Sequence, residues 1–218
     1  MYRDLKKNSA PSNRIEVQLR AQGYHSIAGV DEVGRGAWAG PLVMAAVVFG
    51  PTTRLPGLRD SKKLSATRRE QLSPRIKKLA RGWALGIVTV QELNAYGLGA
   101  GLQLAASRAL GGLAEPADFV LFDGNHRLRG LSSPQQVIVK GDQTVRAIAA
   151  ASVLAKVARD AMMTELHSRE PDLAPFRFDL NKGYPSPVHK QALAHHGPTQ
   201  HHRRTFAPVQ AAGNQKLF

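Results

Sequence analysis

A mixed α/β fold is predicted by three observations. Apolar, β-rich runs come mostly first, and helical patterns are interspersed among the later ones. Phe119-Val120-Leu121-Phe122 is a short, continuous apolar run ending in an acid, which suits a strand buried on both faces of a mixed sheet. From Thr144 to about Ser168, Val145, Ile148, Ser152 and Val157 recur at helical spacing, with alanine in the tight positions.

The elements follow in order. Residues 1–14 are polar, with Ser, Asn and Pro, and are expected to be a flexible segment. Residues 15–22 suit a short helix. Residues 26–33 and 42–49 are β-rich and separated by a Gly/Pro-bearing turn, which predicts a hairpin. Residues 60–64 read as a loop. Ser65 suits the N-cap of a basic helix, and Ser73-Pro74 reads as a fresh cap, so that helix is expected to break near 73. Residues 83–90 predict a third strand. A helix over about 91–110 follows, loosened by Gly97, Gly99 and Gly101. After the 119–122 strand, residues 136–139 form another, ending at Lys140-Gly141-Asp142, and the long helix from 144 comes next. Ser186-Pro187 starts a last helix that stops at Gly197. The 218 residues, 43% of them hydrophobic, can bury one core: a domain over 15–209 with a flexible tail at 210–218.

Charge bounds the partner. The formal net charge is +14, and residues 60–81 hold eight Lys/Arg against two acids. A solvated basic surface explains a diffuse excess. A clustered one favours a polyanion, most simply nucleic acid. With no cysteine, disulfides and thiolate metal sites are ruled out, which fits a cytoplasmic location. The N-terminus lacks the apolar core of a signal peptide. The longest apolar run, 42–49, is too short to cross a bilayer, so no membrane association is expected.

Three predicted strand ends carry acids: Asp31-Glu32, Asp123 and Asp142. Ligands of open α/β sheets gather beyond strand ends. If these ends are neighbours, four carboxylates meet in the oxygen-rich surroundings that Mg²⁺ or Mn²⁺ prefers. Any one of them alone reads as a turn acid, because Asp-Gly and Gly-Asp are common turn dipeptides; the coincidence of all three shifts the balance. Asp31 and Glu32 point to opposite faces of a regular strand, so a bend or bulge is expected there. The adjoining Gly34-Arg35-Gly36 offers backbone amides and a guanidinium to a phosphate or a sugar hydroxyl.

These residues resemble the type 2 ribonucleases H of the ribonuclease HII family. The resemblance runs from Gly29-Val30-Asp31-Glu32-Val33-Gly34-Arg35-Gly36 through Asp60-Ser61-Lys62-Lys63-Leu64, Asp123-Gly124-Asn125 and Val139-Lys140-Gly141-Asp142. It continues over residues 149–160, Lys182-Gly183-Tyr184-Pro185 and His201-His202-Arg203-Arg204-Thr205-Phe206, covering about 15–209 in order. It implies an RNase H-like fold: a central mixed sheet flanked by helices, with a helical C-terminal segment. It implies an endonuclease that hydrolyses RNA paired with DNA and cuts 5′ of single ribonucleotides in duplex DNA, leaving 3′-hydroxyl and 5′-phosphate ends. Such an enzyme serves ribonucleotide removal and RNA primer removal. Asp31, Glu32, Asp123 and Asp142 are then the catalytic acids, holding Mg²⁺ or Mn²⁺, two ions with substrate bound. Gly34, Arg35 and Gly36 would read the ribose 2′-hydroxyl, and Tyr184 would stack on the neighbouring deoxynucleotide. The sequence departs from the family at Ala37-Trp38, where Pro-Leu is usual, and at Asn181, where His is frequent. Neither change removes a catalytic acid.

Further residues are read with two meanings. Lys62 and Lys63 track phosphates, with Ser61 adding a donor, or form a solvated loop. Ser152 and Lys156 share a helix face and hold a phosphate if that face meets the substrate, while the apolar neighbours of Ser152 suit a core position. Asp160 is read as a structural partner for an Arg, and the His pairs 195–196 and 201–202 as basic helix-end residues rather than ligands. Gln215, Leu217 and Phe218 loosely resemble the short peptides that dock on a bacterial sliding clamp; a plain chain end is the alternative. A monomer is expected. Two other classes compete: a non-catalytic hybrid-binding module, which gains nothing from acids near phosphates, and another two-metal nuclease such as a junction resolvase.

Overall fold

In the computed structural model, which describes residues 10–125 and 127–214, the chain builds a five-stranded mixed sheet covered on both faces. Helix α1 (Arg14–Ala21) leads into β1 (Ile27–Val33) and β2 (Leu42–Phe49). A 3₁₀ turn at Ser61–Lys63 precedes α2 (Ala66–Leu79), β3 (Ala80–Val88) and α3 (Val90–Gly111). Then come β4 (Phe119–Asp123), β5 (Gln135–Ile138), α4 (Gly141–Thr144) and α5 (Arg146–Arg169). The C-terminal segment holds a 3₁₀ stretch (Pro171–Phe176), α6 (Phe178–Asn181), α7 (Pro187–His196) and α8 (Ala207–Asn214).

The sheet order is β3-β2-β1-β4-β5. β1, β2 and β3 are antiparallel neighbours, whereas β1, β4 and β5 run parallel. The C-terminal ends of β1, β4 and β5 therefore open on one side. All eight residues of β2 are buried, as a strand covered on both faces requires. Ala28 and Val30 of β1 join Leu42, Met44, Ala46 and Val48 of β2 beneath α3. Val43, Ala45, Val47 and Phe49 face α5 and α2. The approach of α5 is very close: a Cβ on Gly29 would stand 2.3 Å from the carbonyl carbon of Ala147. Ala147, Ala149, Ala150, Ala151 and Ala155 supply the small surface that permits it.

Three expectations change. The basic helix does not break near 73: α2 runs from its Ser65 cap through Pro74 to Leu79. An interior proline costs a helix about 3 kcal/mol, but Leu72 and Ile76 are buried on either side of it, each worth about 1.5–3 kcal/mol. Residues 61–63 form a 3₁₀ turn rather than plain loop, because the Asp60 carboxylate accepts the Lys62 N–H at 2.9 Å. The helix from Ser186 is not the last, since α8 follows and occupies positions 210–214 expected in the tail. Its sequence has one strong anchor, Val209, which only the docked structure shows to be buried. The expected loosening of α3 is a kink at Gly97, at φ 77° and ψ 168°.

The C-terminal segment has its own core, in which Met163, Phe176, Phe178 and Leu193 surround two buried histidines. Their hydrogen bonds define the tautomers. The Thr199 N–H donates to His202 Nδ1 at 3.0 Å, so His202 carries its proton on Nε2. That proton points at His189 Nε2, 3.0 Å away, and His189 Nδ1 donates to the Tyr184 carbonyl at 2.9 Å. Both rings are neutral. Burial depresses both pKa values, that of His202 to about 3 with help from His189 and His201.

A histidine depressed in the fold binds its proton more readily when unfolded, so its stabilising contribution is lost as pH falls below the ordinary value of about 6.5. We expect the stability difference between wild type and His202→Asn to shrink by about 2 kcal/mol between pH 7 and pH 5. Urea denaturation at both pH values measures this; a difference independent of pH would contradict the neutral relay.

Candidate active site

The three strand ends do meet. Asp31 and Glu32 close β1, Asp123 closes β4, and Asp142 lies in α4 just past β5. The bend expected at Asp31-Glu32 is absent. The β1–β2 register runs unbroken through Asp31↔Ala45, Glu32↔Met44 and Val33↔Val43. Regular alternation turns Asp31 toward α5 and Glu32 toward the other face. Convergence comes instead from the strand end: β1 and β4 stop pairing at Val30↔Phe122. Beyond that point no strand separates the two faces, and both carboxylates come within electrostatic reach of Asp123.

The local chain fixes the other two acids. Lys140 adopts a left-handed conformation (φ 56°) that swings the chain from β5 into α4. The Gly141 N–H then donates to Asp123 Oδ1 at 2.7 Å, and the Asp142 N–H approaches the same oxygen at 3.5 Å. Burial raises the Asp31 pKa well above the carboxylate range, reinforced by Asp123, Glu32 and Asp142. Burial also raises Glu32, against the lowering effect of Arg35. Asp142 is pushed up to about 6 by burial and then by Asp123 and Asp60. Negative charge is thus concentrated beyond what the surroundings neutralise.

The residues expected to hold phosphate divide. Ser61 and Ser152 are buried and share a 2.6 Å hydrogen bond, and Ser152 also hydrogen-bonds Asp31. Both lie in the interior, the position that the apolar neighbours of Ser152 suit. Lys62 is 81% exposed, with Nζ 3.8 Å from Asp142 Oδ2. Desolvation lowers its pKa, but Asp142, Asp31 and Asp60 outweigh it and the net shift is upward. Lys63 reaches Gln143 at 3.3 Å. Lys156 donates to Asp160 at 2.8 Å, with its Nζ 5.8 Å from the Tyr184 ring centroid. Asp160 also faces Arg69 at 3.8 Å, as its structural reading expects. Arg69 donates to the Ser61 and Leu64 carbonyls at 2.9 and 2.7 Å, so it holds the Lys62-Lys63 turn. Sequence reasoning missed Arg69, because nothing separates it from the exposed cations around it in α2.

The Gly34-Arg35-Gly36 turn lies directly beyond Glu32. Arg35 reaches back to Glu32 at 3.8 Å. The Gly34 N–H donates to the Tyr184 hydroxyl at 3.1 Å, so turn and aromatic ring are adjacent. The two glycines have different reasons. Gly34 sits at φ +92°, and a Cβ there would lie 2.3 Å from Arg159 Nε. Gly36 is exposed, with ordinary φ and nothing within 4 Å of a Cβ, so the fold itself does not demand a glycine. Trp38 packs in the C-terminal core, 5.7 Å from His189. Asn181 bonds Phe176 O and the Gly183 N–H at 2.7 and 2.8 Å, and so shapes the turn that carries Tyr184.

As the side chains stand, no group of three or more Asp, Glu, His or Cys among the described residues is drawn together tightly enough to hold a metal ion. Each acid leans on a separate compensating partner: Arg35 for Glu32, Lys62 for Asp142, the Gly141 amide for Asp123 and Ser152 for Asp31. The donor chemistry nonetheless fits a hard divalent cation, being all carboxylate oxygen.

A structure of ribonuclease H2 from Pyrococcus horikoshii superposes with a TM-score of 0.74, at 23% identity, covering 87% of this chain and 98% of that one. An RNase HII from Archaeoglobus fulgidus, solved as a complex with PCNA, gives 0.69 at 25% identity over 88% of this chain and 97% of its own. A ribonuclease HII from Streptomyces griseus is 48% identical over 92% of this chain and 86% of its own length. One from Xanthomonas campestris is 48% identical over 85% and 77%. With the ribonuclease HII family model matching residues 28–209, the chain belongs to the ribonuclease HII family and is a ribonuclease.

Open space at Gly36 separates folding from function. We expect Gly36→Ala to leave the thermal midpoint unchanged or slightly raised, because a compatible Gly→Ala change gains roughly 0.4–1 kcal/mol. Cleavage at a ribonucleotide should fall about tenfold or more, since one CH₃ then stands where the sugar approaches. Wild-type cleavage by this variant would remove Gly36 from the binding surface.

Proposed function

We propose that the chain cuts duplex nucleic acid on the 5′ side of a ribonucleotide, leaving 3′-hydroxyl and 5′-phosphate ends, with Asp31, Glu32, Asp123 and Asp142 as its metal-holding acids. Action on RNA in RNA–DNA hybrids and on ribonucleotides in DNA follows from family membership. The observation that carries the finer reading is the junction of four neighbouring carboxylates with an open Gly36 and the Tyr184 ring. Two Mg²⁺ or Mn²⁺ ions, when bound, would activate the attacking water and stabilise the departing 3′-oxygen. The carboxylates fix position and charge, with Asp31 braced by the buried Ser152–Ser61 pair. Gly34, Arg35 and Gly36 present backbone to the ribose, where a 2′-hydroxyl is bonded and its absence leaves polar groups unpaired. Tyr184 offers a stacking face, which tolerates any base. Lys62, being exposed, and Lys156, beside Tyr184, neutralise phosphates flanking the cut.

The test is cleavage of a labelled DNA duplex bearing one ribonucleotide, with Mg²⁺, Mn²⁺ or chelator, against an all-DNA control. We expect a metal-dependent cut immediately 5′ of the ribonucleotide and an untouched control. Asp31→Asn should lose roughly 10²-fold or more in turnover while remaining folded. Binding without cleavage favours a hybrid-binding module, and cutting of the control favours another two-metal nuclease.

A sliding-clamp contact through Gln215, Leu217 and Phe218 is a separate reading. These residues lie outside the described ones, directly after α8. The archaeal RNase HII solved with PCNA supports it by analogy. In a pull-down with the bacterial clamp, removal of residues 214–218 should abolish retention; equal retention by the shortened chain disposes of the idea.

A further inference from the structure

Two arginines of the C-terminal half, Arg159 of α5 and Arg203 of the His201-His202-Arg203-Arg204 segment, are 0% exposed. Neither forms an ion pair among the described residues, and burial depresses both pKa values, that of Arg203 to about 9. A buried guanidinium without a carboxylate is costly unless its donors are used. Here they are used on backbone carbonyls. Arg203 donates through Nη1 to Gly34 O at 2.6 Å and Arg35 O at 3.3 Å. Its Nε and Nη2 reach Gly40 O and Pro41 O, both at 3.0 Å. Arg159 donates to Pro41 O at 2.8 Å, Ala39 O at 3.0 Å and Lys182 O at 2.8 Å.

Six of the seven bonds end on one turn, and the seventh ends on Lys182. They fix both arms of the turn that carries Gly34, Arg35 and Gly36, and they tie that turn to the Lys182-Gly183-Tyr184 segment. Backbone bonds reinforce the tie: Trp38 N–H to Gly183 O at 2.9 Å, Arg203 N–H to Trp38 O at 2.7 Å and Gly40 N–H to His201 O at 2.9 Å. Arg159 also lies 5.2 Å from the Tyr184 ring centroid. A planar fork with five donors can hold several carbonyls at fixed angles, which a lysine ammonium cannot reproduce. We propose that Arg203, assisted by Arg159, is the positioning residue for ribose recognition: the pair sets the carbonyls of the Gly34-Arg35 turn, and so the angle at which Gly36 and Tyr184 meet the sugar. Neither arginine touches the substrate. The C-terminal segment thereby becomes part of the specificity device, acting through the turn.

This rests on the reading of the turn as the ribose reader, and the experiment keeps the two apart. The readout is the ratio of Kd for an all-DNA duplex to Kd for the same duplex with one ribonucleotide, measured in chelator so that nothing is cut. Wild type should prefer the ribonucleotide duplex. Arg203→Lys, which keeps the charge and loses the fork, should lower that ratio at least about fivefold while leaving the all-DNA Kd within about twofold. A general loss of structure would weaken both affinities together. Circular dichroism and a thermal melt establish that the variant is folded at the assay temperature; if it is not, Arg159→Lys is read by the same rule. A folded variant with the wild-type ratio overturns the positioning role and leaves the ribose reading intact. A wild type with no preference overturns the ribose reading, and this inference with it.

Discussion

Concentrated negative charge at one end of a sheet is the constraint to which most of this structure answers. Burial raises the pKa values of Asp31, Glu32 and Asp142, and the Asp123 charge adds to each. Leaving such groups in place costs stability. The surroundings offset the cost in small, separate ways: a serine hydroxyl, a glycine amide, one exposed lysine and one exposed arginine. These partners steady the acids one at a time. In a chain of net charge +14, the acidic cluster is a local inversion of sign. A polyanion is drawn to the surface as a whole and repelled at the point where chemistry would occur, unless cations intervene.

Rigid support reaches this site from several parts of the chain. Helix α5 lies against β1 because Gly29 and a run of alanines let the backbones touch, and the closeness brings Ser152 under Asp31. Arg69 of α2 holds the turn carrying Lys62 and meets Asp160, which holds Lys156. One carboxylate thus joins two cations placed on different elements. On the other side of the acids, the buried arginines and the neutral His202–His189 relay both end on backbone near Tyr184. The relay needs both rings uncharged and the clamp needs both guanidiniums charged, and burial works against only the second. Its seven carbonyl bonds are what makes that tolerable.

Much of the fold is legible in the pattern of the chain. Alternating and continuous apolar runs mark the strands, and the acids are visible because Asp31-Glu32 and Asp123 follow such runs directly and Asp142 comes three residues after one. Ser65 and the 3.6-residue spacing of α5 announce two helices. The misreadings have physical causes. Pro74 is a breaker by local rule, yet burial of Leu72 and Ile76 carries α2 through it. Helix α8 has too little periodicity to be seen before Val209 finds its pocket. The bulge inferred at Asp31-Glu32 assumed a strand paired on both sides, whereas β4 ends its pairing just before them.

The sequence by itself determined what the candidate site is made of: four acids, a glycine turn, an aromatic ring and a cationic surface around them. These are properties of residue type and local order, and they are written in short stretches of chain. Tertiary structure decided the surroundings of each polar side chain, because these depend on burial and on partners far along the chain. Ser61 and Ser152 meet only in the packed interior, at 2.6 Å. Arg203 finds its partner only when the C-terminal segment folds over the turn, 169 residues earlier, and its guanidinium meets the Gly34 carbonyl.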